Sequence, residues 1–158
     1  MDERSLERII YDGEALAIIV RANFSGSGIH FFTQPDFSQQ LAYMHHPAGH
    51  LIEPHVHNPV PRQVHYTQEV LFIRKGQLRV DFYNEGQEYL ESRTLYAGDV
   101  ILLIAGGHGF KVIEDLEMIE VKQGPYVGEG DKTRFSGISS AQVVYSRAGE
   151  DNNERSRQ

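Results

Sequence analysis

Glu69-Val70-Leu71-Phe72-Ile73-Arg74-Lys75-Gly76-Gln77-Leu78-Arg79-Val80-Asp81-Phe82 decides how this chain folds. Apolar and polar residues alternate on both sides of Lys75-Gly76, the period of a half-buried β-strand. Gly76 tolerates the positive φ that a two-residue turn demands at its second place. Read as a hairpin with Arg74 opposite Gln77, the stretch pairs Ile73 with Leu78, Leu71 with Val80 and Glu69 with Phe82. One face then carries Leu71, Ile73, Leu78, Val80 and Phe82, and Glu69 lies on it too. An ionised carboxylate on an apolar face is costly unless a cation, a proton or a ligand meets it. Glu69 is therefore the first candidate functional residue.

The same texture runs outward in both directions. Gly and Asx recur between short segments rich in Val, Ile, Phe and Tyr, which reads as all-β. Upstream, strands are expected at Ala15–Arg21, Ile29–Thr33 and Gln40–His45. Downstream they are expected at Tyr89–Leu95, Val100–Ile104, Phe110–Ile113 and Glu117–Lys122. Asp2–Ile10 is read as one short helix. Residues 1–145 form a single expected domain, and 146–158, with almost nothing to bury, an expected disordered tail.

Composition narrows the function. The chain has 158 residues, no cysteine and a formal net charge of −7. Without cysteine there is no disulfide framework, thiol nucleophile, iron–sulfur cluster or zinc finger. The negative charge speaks against nucleic acid and anionic membranes as main partners. The longest apolar run, Val100–Ala105, is far too short to span a membrane, and the charged N-terminus lacks a signal-peptide pattern. A cytoplasmic protein is the expectation. Seven of the eight histidines lie between His30 and His65, and His108 stands alone.

His55-Val56-His57 follows Pro54, which favours an extended chain, and in an extended chain both imidazoles face one way. With Glu69 and with His108 in Gly106-Gly107-His108-Gly109, they make a mixed nitrogen–oxygen donor set suited to divalent Fe, Mn, Ni, Zn or Cu.

Gly49-x5-His55-x-His57, Glu69-x6-Gly76 and Gly98-x5-Ile104-x-Gly106-x-His108 resemble the two motifs of the cupin superfamily. The resemblance spans residues 40–121. It implies a small antiparallel β-barrel of the jelly-roll, or double-stranded β-helix, type. It also implies a divalent metal held by His55, His57, Glu69 and His108. Three departures stand out. Eleven residues separate His57 from Glu69 where the family has three or four. Ile104 replaces the second motif's Pro, and only Gly107 separates Gly106 from His108. The family's later Asn is missing. A second register, with His65 as ligand in Gln63-Val64-His65, therefore stays open beside His55/His57. The flanking segments resemble small stand-alone cupins associated with cell-surface sugar pathways.

Arg62, His65 and Tyr83 are the candidate catalytic residues. Arg62 could grip a phosphate or carboxylate, and Tyr83, Tyr126 and Lys122 could line the pocket or move protons. Three functions follow as expectations. The first is a metal-binding cupin acting on, or binding, a small sugar-related or carboxylate metabolite. The second is a non-catalytic sugar-binding module. The third is a metal-independent sugar-nucleotide epimerase or ketoisomerase. A homodimer is expected, formed through the apolar segment Ala15–Arg21, read as an edge that needs cover.

Overall fold

The computed structural model describes residues 5–146. The tail expected at 146–158 lies outside them except for Ser146. The described residues form two compact units, one from Ser25 to His65 and one from the chain on either side of that segment. In the smaller unit β3 (Gly28–Phe31) pairs antiparallel with β4 (Ala42–His45). Beyond β4 it has no regular structure, and residues 51–65 are exposed.

The larger unit is an antiparallel sheet of six strands, strongly curled. They are β1 (Leu6–Tyr11), β2 (Glu14–Val20), β5 (Glu69–Tyr83), β6 (Tyr89–Tyr96), β7 (Val100–Leu103) and β8 (Gly107–Lys122). All-β is therefore right, with only two 3-10 turns besides, at Gly128–Asp131 and Ser140–Gln142. No helix among the described residues is long and apolar enough to cross a membrane.

The expected helix over Asp2–Ile10 is wrong where it is described. β1 and β2 form a hairpin through Asp12-Gly13, whose φ values are 51° and 78°. Both residues are left-handed, the conformation a twisted two-residue hairpin needs. This turn sets the register of Leu6–Tyr11 and overrides any local helical preference. β2 is also not an edge. It lies between β1 and β7, so the cover that Ala15–Arg21 needs comes from its own chain.

The expected hairpin at Lys75-Gly76 is wrong as well, and the reason is instructive. Glu69–Tyr83 is one continuous strand. Leu71 pairs with Ile101 on β7 and Glu120 on β8, while Leu78 pairs with Leu95 on β6 and Val112 on β8. Gly76 does adopt a positive φ, 82°, at register shifts in the β5–β8 pairing. A two-residue hairpin and a bulge both change which alternate residues point inward. Leu71, Ile73, Leu78, Val80 and Phe82 are accordingly all buried. The two strands expected at Phe110–Ile113 and Glu117–Lys122 are likewise one strand, β8, running alongside.

Inward residues of all these strands make one core, including Ile9, Ala17, Ile19, Leu71, Leu95 and Ile101. Outside the sheet, the chain from Phe135 lies against β5 and β6. Phe135 packs edge-on against Tyr83, the Tyr83 hydroxyl accepts the Ile138 N–H, and Ser92 N–H donates to Val144.

Candidate functional site

Glu69 and His108 start far apart in the pairing pattern. Glu69 sits at one end of β5, opposite Leu103 and Lys122, and His108 sits opposite Phe82 near the other end. β5 has 15 residues, which fully extended would span about 50 Å at roughly 3.3 Å each. Yet His108 Nε2 lies 3.3 Å from Glu69 Oε2. The β5–β8 ribbon must therefore bend back on itself. The bend falls where the register shifts, at Ile73–Leu78. Gly76 is needed there: a Cβ would clash with the Asp115 carbonyl oxygen.

The bend turns both side chains to the inner face. Glu69 shares that face with Leu103 and His108 shares it with Phe82, both core residues. The Glu69 side chain is only 13% exposed, against 29% for His108. Lys122 Nζ approaches Glu69 Oε1 at 3.8 Å and Asp131 Oδ2 at 3.0 Å. Thr67 Oγ1 donates to the other Asp131 oxygen at 3.0 Å. Four polar side chains thus run Thr67–Asp131–Lys122–Glu69, ending on His108.

Their electrostatics follow from these contacts. The hydrogen bond from His108 holds the Glu69 carboxyl below its ordinary value of 4.5, against the effect of burial, with help from the charges of Lys122 and Lys132. An ionised carboxylate only accepts, so His108 Nε2 carries the proton between them. Asp131 raises the Lys122 ammonium above its ordinary 10.5, and Lys122 with Thr67 holds Asp131 below 3.8. The pair Glu69–His108 is therefore a carboxylate against an imidazole N–H, with a fixed ammonium on its far side. Such a group can accept or deliver a proton, stabilise developing negative charge, or exchange the shared proton for a metal ion.

Of the four metal ligands expected, Glu69 and His108 are side by side in the larger unit. His55 and His57 belong to the smaller unit. Their rings lie 5.3 Å apart, edge to face, and His55 Nδ1 is 2.9 Å from the Glu53 carbonyl. His65 and Arg62 are exposed on the same segment, where Arg62 donates to the Val60 carbonyl at 3.3 Å. Among the described residues, no three His, Asp or Glu side chains converge as a metal-holding group. Tyr83 is buried, and its hydroxyl holds the chain at Ile138, which gives it an anchoring role. Tyr126 is 80% exposed.

Asp131 and Thr67 carry no signal of their own in the sequence. Asp131 lies in a loop, and no spacing links it to Lys122. A buried ionic cluster was equally unforeseen. Glu7 joins Arg21 at 2.6 Å and Arg93 at 2.9 Å, Arg21 joins Asp99 at 2.7 Å, and Arg93 joins Glu91 at 2.5 Å. Parity could have found it. Glu7 alternates with Ile9, and Arg93 with Leu95, so each charged residue sits at an inward position beside a core residue. An open cleft of about 550 Å³, bordered by Tyr96 and Tyr145, adjoins this cluster.

Comparison with protein families, with curated proteins and with solved structures finds no match to this chain. What the site does has to be argued from its own residues.

Proposed function

We propose that the protein is a metal-binding protein of cupin type that binds or transforms a small carboxylate or sugar-related metabolite. Glu69 and His108 would hold a divalent ion; His55 and His57, the other expected donors, lie in the smaller unit. The observation that supports this reading is the meeting of Glu69 and His108. A bent ribbon carries a carboxylate and an imidazole from its opposite ends to one inner surface, where burial without a partner would be costly. Their donor atoms suit a borderline divalent ion. His55 adds a second fitting feature: its Nδ1 faces a backbone carbonyl, the contact that orients a metal-binding imidazole and leaves Nε2 available. A bound ion would polarise a substrate oxygen or activate water. The chain's own contribution is an ammonium, Lys122, beside the carboxylate and positioned by Asp131 to meet an anionic ligand.

Metal analysis of purified protein, combined with thermal unfolding before and after chelation, tests this. Near-stoichiometric metal and a melting temperature that falls on chelation are expected, with both effects absent in His108→Ala. Purified protein that holds no metal and gains no stability from Fe, Mn, Ni, Zn or Cu would overturn it.

One observation favours a second reading, metal-free proton transfer. Both Glu69 oxygens already face cationic or N–H partners, Oε2 at His108 and Oε1 at Lys122. In that reading His108 moves the proton, Glu69 orients it, and Lys122 stabilises the developing anion. Turnover of a sugar nucleotide that survives exhaustive chelation would select it over the first.

A further inference from the structure

β8 contributes to the inner face of the curled sheet and yet stays open there. Residues directly opposite each other on antiparallel strands share a face. Phe82 stands opposite His108, Val80 opposite Phe110 and Leu78 opposite Val112. All three β5 residues belong to the core. Their β8 partners therefore point inward as well, but Phe110 is 42% and Val112 56% exposed. The Phe110 ring lies beside the His108 imidazole, with centroids 5.2 Å apart and planes tilted by 36°. An exposed apolar wall thus begins at the Glu69–His108 pair and runs toward the bend.

We infer that this wall selects the ligand, and that the ligand is a carboxylate with an apolar body, a short alkyl or aryl acid, in place of a polyhydroxylated one. The inference rests on the proposed reading of Glu69, His108 and Lys122 as a site for a small carboxylate or sugar-related metabolite, and it chooses between those two classes. Hydroxyl groups laid over Phe110 and Val112 would give up hydrogen bonds to water and find no donor or acceptor in either side chain. A methylene chain or an aryl ring laid there gains from the water it displaces.

Charge sets the direction of the bound acid. Its head belongs at the Lys122 ammonium, which stands 3.8 Å from Glu69 Oε1. Followed from Lys122 toward the bend, the inner face of β8 next carries Glu120, opposite the core residue Leu71. Followed from His108 toward the bend, it carries Phe110 and Val112. An apolar body over Glu120 would strip water from a carboxylate, so the body lies on the other arm. From His108 to Val112 the strand offers about 13 Å, at roughly 3.3 Å per residue.

Titration of the His108 ring resonances in the full chain with acetate, butyrate, hexanoate and gluconate tests the inference, with circular dichroism to verify folding of each variant. Hexanoate and gluconate share carbon count and charge and differ in their hydroxyls. Each added methylene should tighten binding about two- to fourfold, and hexanoate should bind at least roughly tenfold more tightly than acetate or gluconate. Phe110→Ala should bring hexanoate to within about threefold of acetate and leave acetate unchanged. Val121→Ala removes an exposed apolar side chain from the outer face, opposite Val70, and should alter neither. Gluconate binding as tightly as hexanoate overturns the inference. So does a chain-length dependence that survives Phe110→Ala or that Val121→Ala removes equally. If all four acids bind alike and Lys122→Met weakens them all, the carboxylate site stands and the selecting wall falls. If none moves the His108 resonances, the carboxylate reading itself fails and the wall's role with it.

Discussion

Among the described residues, two polar clusters line the inner face of the curled sheet, and they are built on opposite terms. β7 has one at each end. Asp99, just before Val100, belongs to the cluster of Glu7, Arg21, Glu91 and Arg93, while Glu69 lies opposite Leu103. In the first cluster, guanidinium–carboxylate contacts run from 2.5 to 2.9 Å, and Arg93 and Glu91 side chains are only 8% and 3% exposed. Arg21 also donates to the Thr94 carbonyl and Arg93 to the Ser92 carbonyl. Each of its three carboxylates and two guanidinium groups lies against a group of opposite charge, which ties β1, β2, β6 and the start of β7 together. In the second cluster the contacts to Glu69 are 3.3 and 3.8 Å, its partners are an imidazole and a lysine, and His108 is partly open. Guanidinium–carboxylate pairs make a joint, whereas a carboxylate between an imidazole N–H and a lysine ammonium makes a place where a proton, an ion or an anion can be exchanged.

The largest effect should come from breaking the joint. Arg93→Leu removes one partner of Glu7 and of Glu91 and leaves their buried charge short of compensation. A loss of about 3–5 kcal/mol in denaturant unfolding is expected. A loss under about 1 kcal/mol would place this cluster on the same footing as the open one.

Next comes the bend on which the second cluster depends. Gly76→Ala adds a Cβ that clashes with the Asp115 carbonyl oxygen, at a φ of 82°. It should cost more than about 2 kcal/mol, read by the same unfolding titration. It should also separate Glu69 from His108. An alanine tolerated at no cost would mean that the ribbon turns elsewhere.

Changes within the open cluster should be milder. Glu69→Gln keeps an acceptor for His108 and should cost about 1 kcal/mol. Its clearer signature is in acid. Glu69 and Asp131 have carboxyls held below 4.5 and 3.8, so their stabilisation is present above those values and lost as pH falls through the lowered ones. Unfolding free energy measured from neutral to acid pH should therefore fall less steeply in an E69Q/D131N variant. An unchanged slope would show that the two carboxyls are not held down. Lys122→Met should change stability least, because an ion pair open to water contributes little. Its main effect should be weaker protection by carboxylate ligands in a thermal-shift series.

Most strands, the alternating core residues of β5 and the anomaly of Glu69 were legible in the sequence, because period-two alternation and burial leave a local trace. His108 was legible as an isolated imidazole after an apolar strand. The direction of the chain at Lys75-Gly76 was not. A tight turn and a bulge predict the same inward residues there, and only the partner strand β8 distinguishes them. β1 leaves a weaker trace: Leu6–Tyr11 reads as strand only together with the Asp12-Gly13 turn that follows it. The ionic cluster joins residues as distant as Glu7 and Arg93, each ordinary within its own strand. Asp131 gains its role only when the loop after β8 returns to Lys122.

The bent β5–β8 ribbon sets His108 Nε2 against Glu69. Imidazole NMR of His108, comparing the unaltered protein with Glu69→Gln and with Arg93→Leu refolded under stabilising conditions, tests it most directly. A proton held on Nε2, hydrogen-bonded and slow to exchange, is expected, with a resonance that moves with the Glu69 substitution and not with the Arg93 one. An Nε2 that is unprotonated, or a resonance indifferent to Glu69, would contradict it.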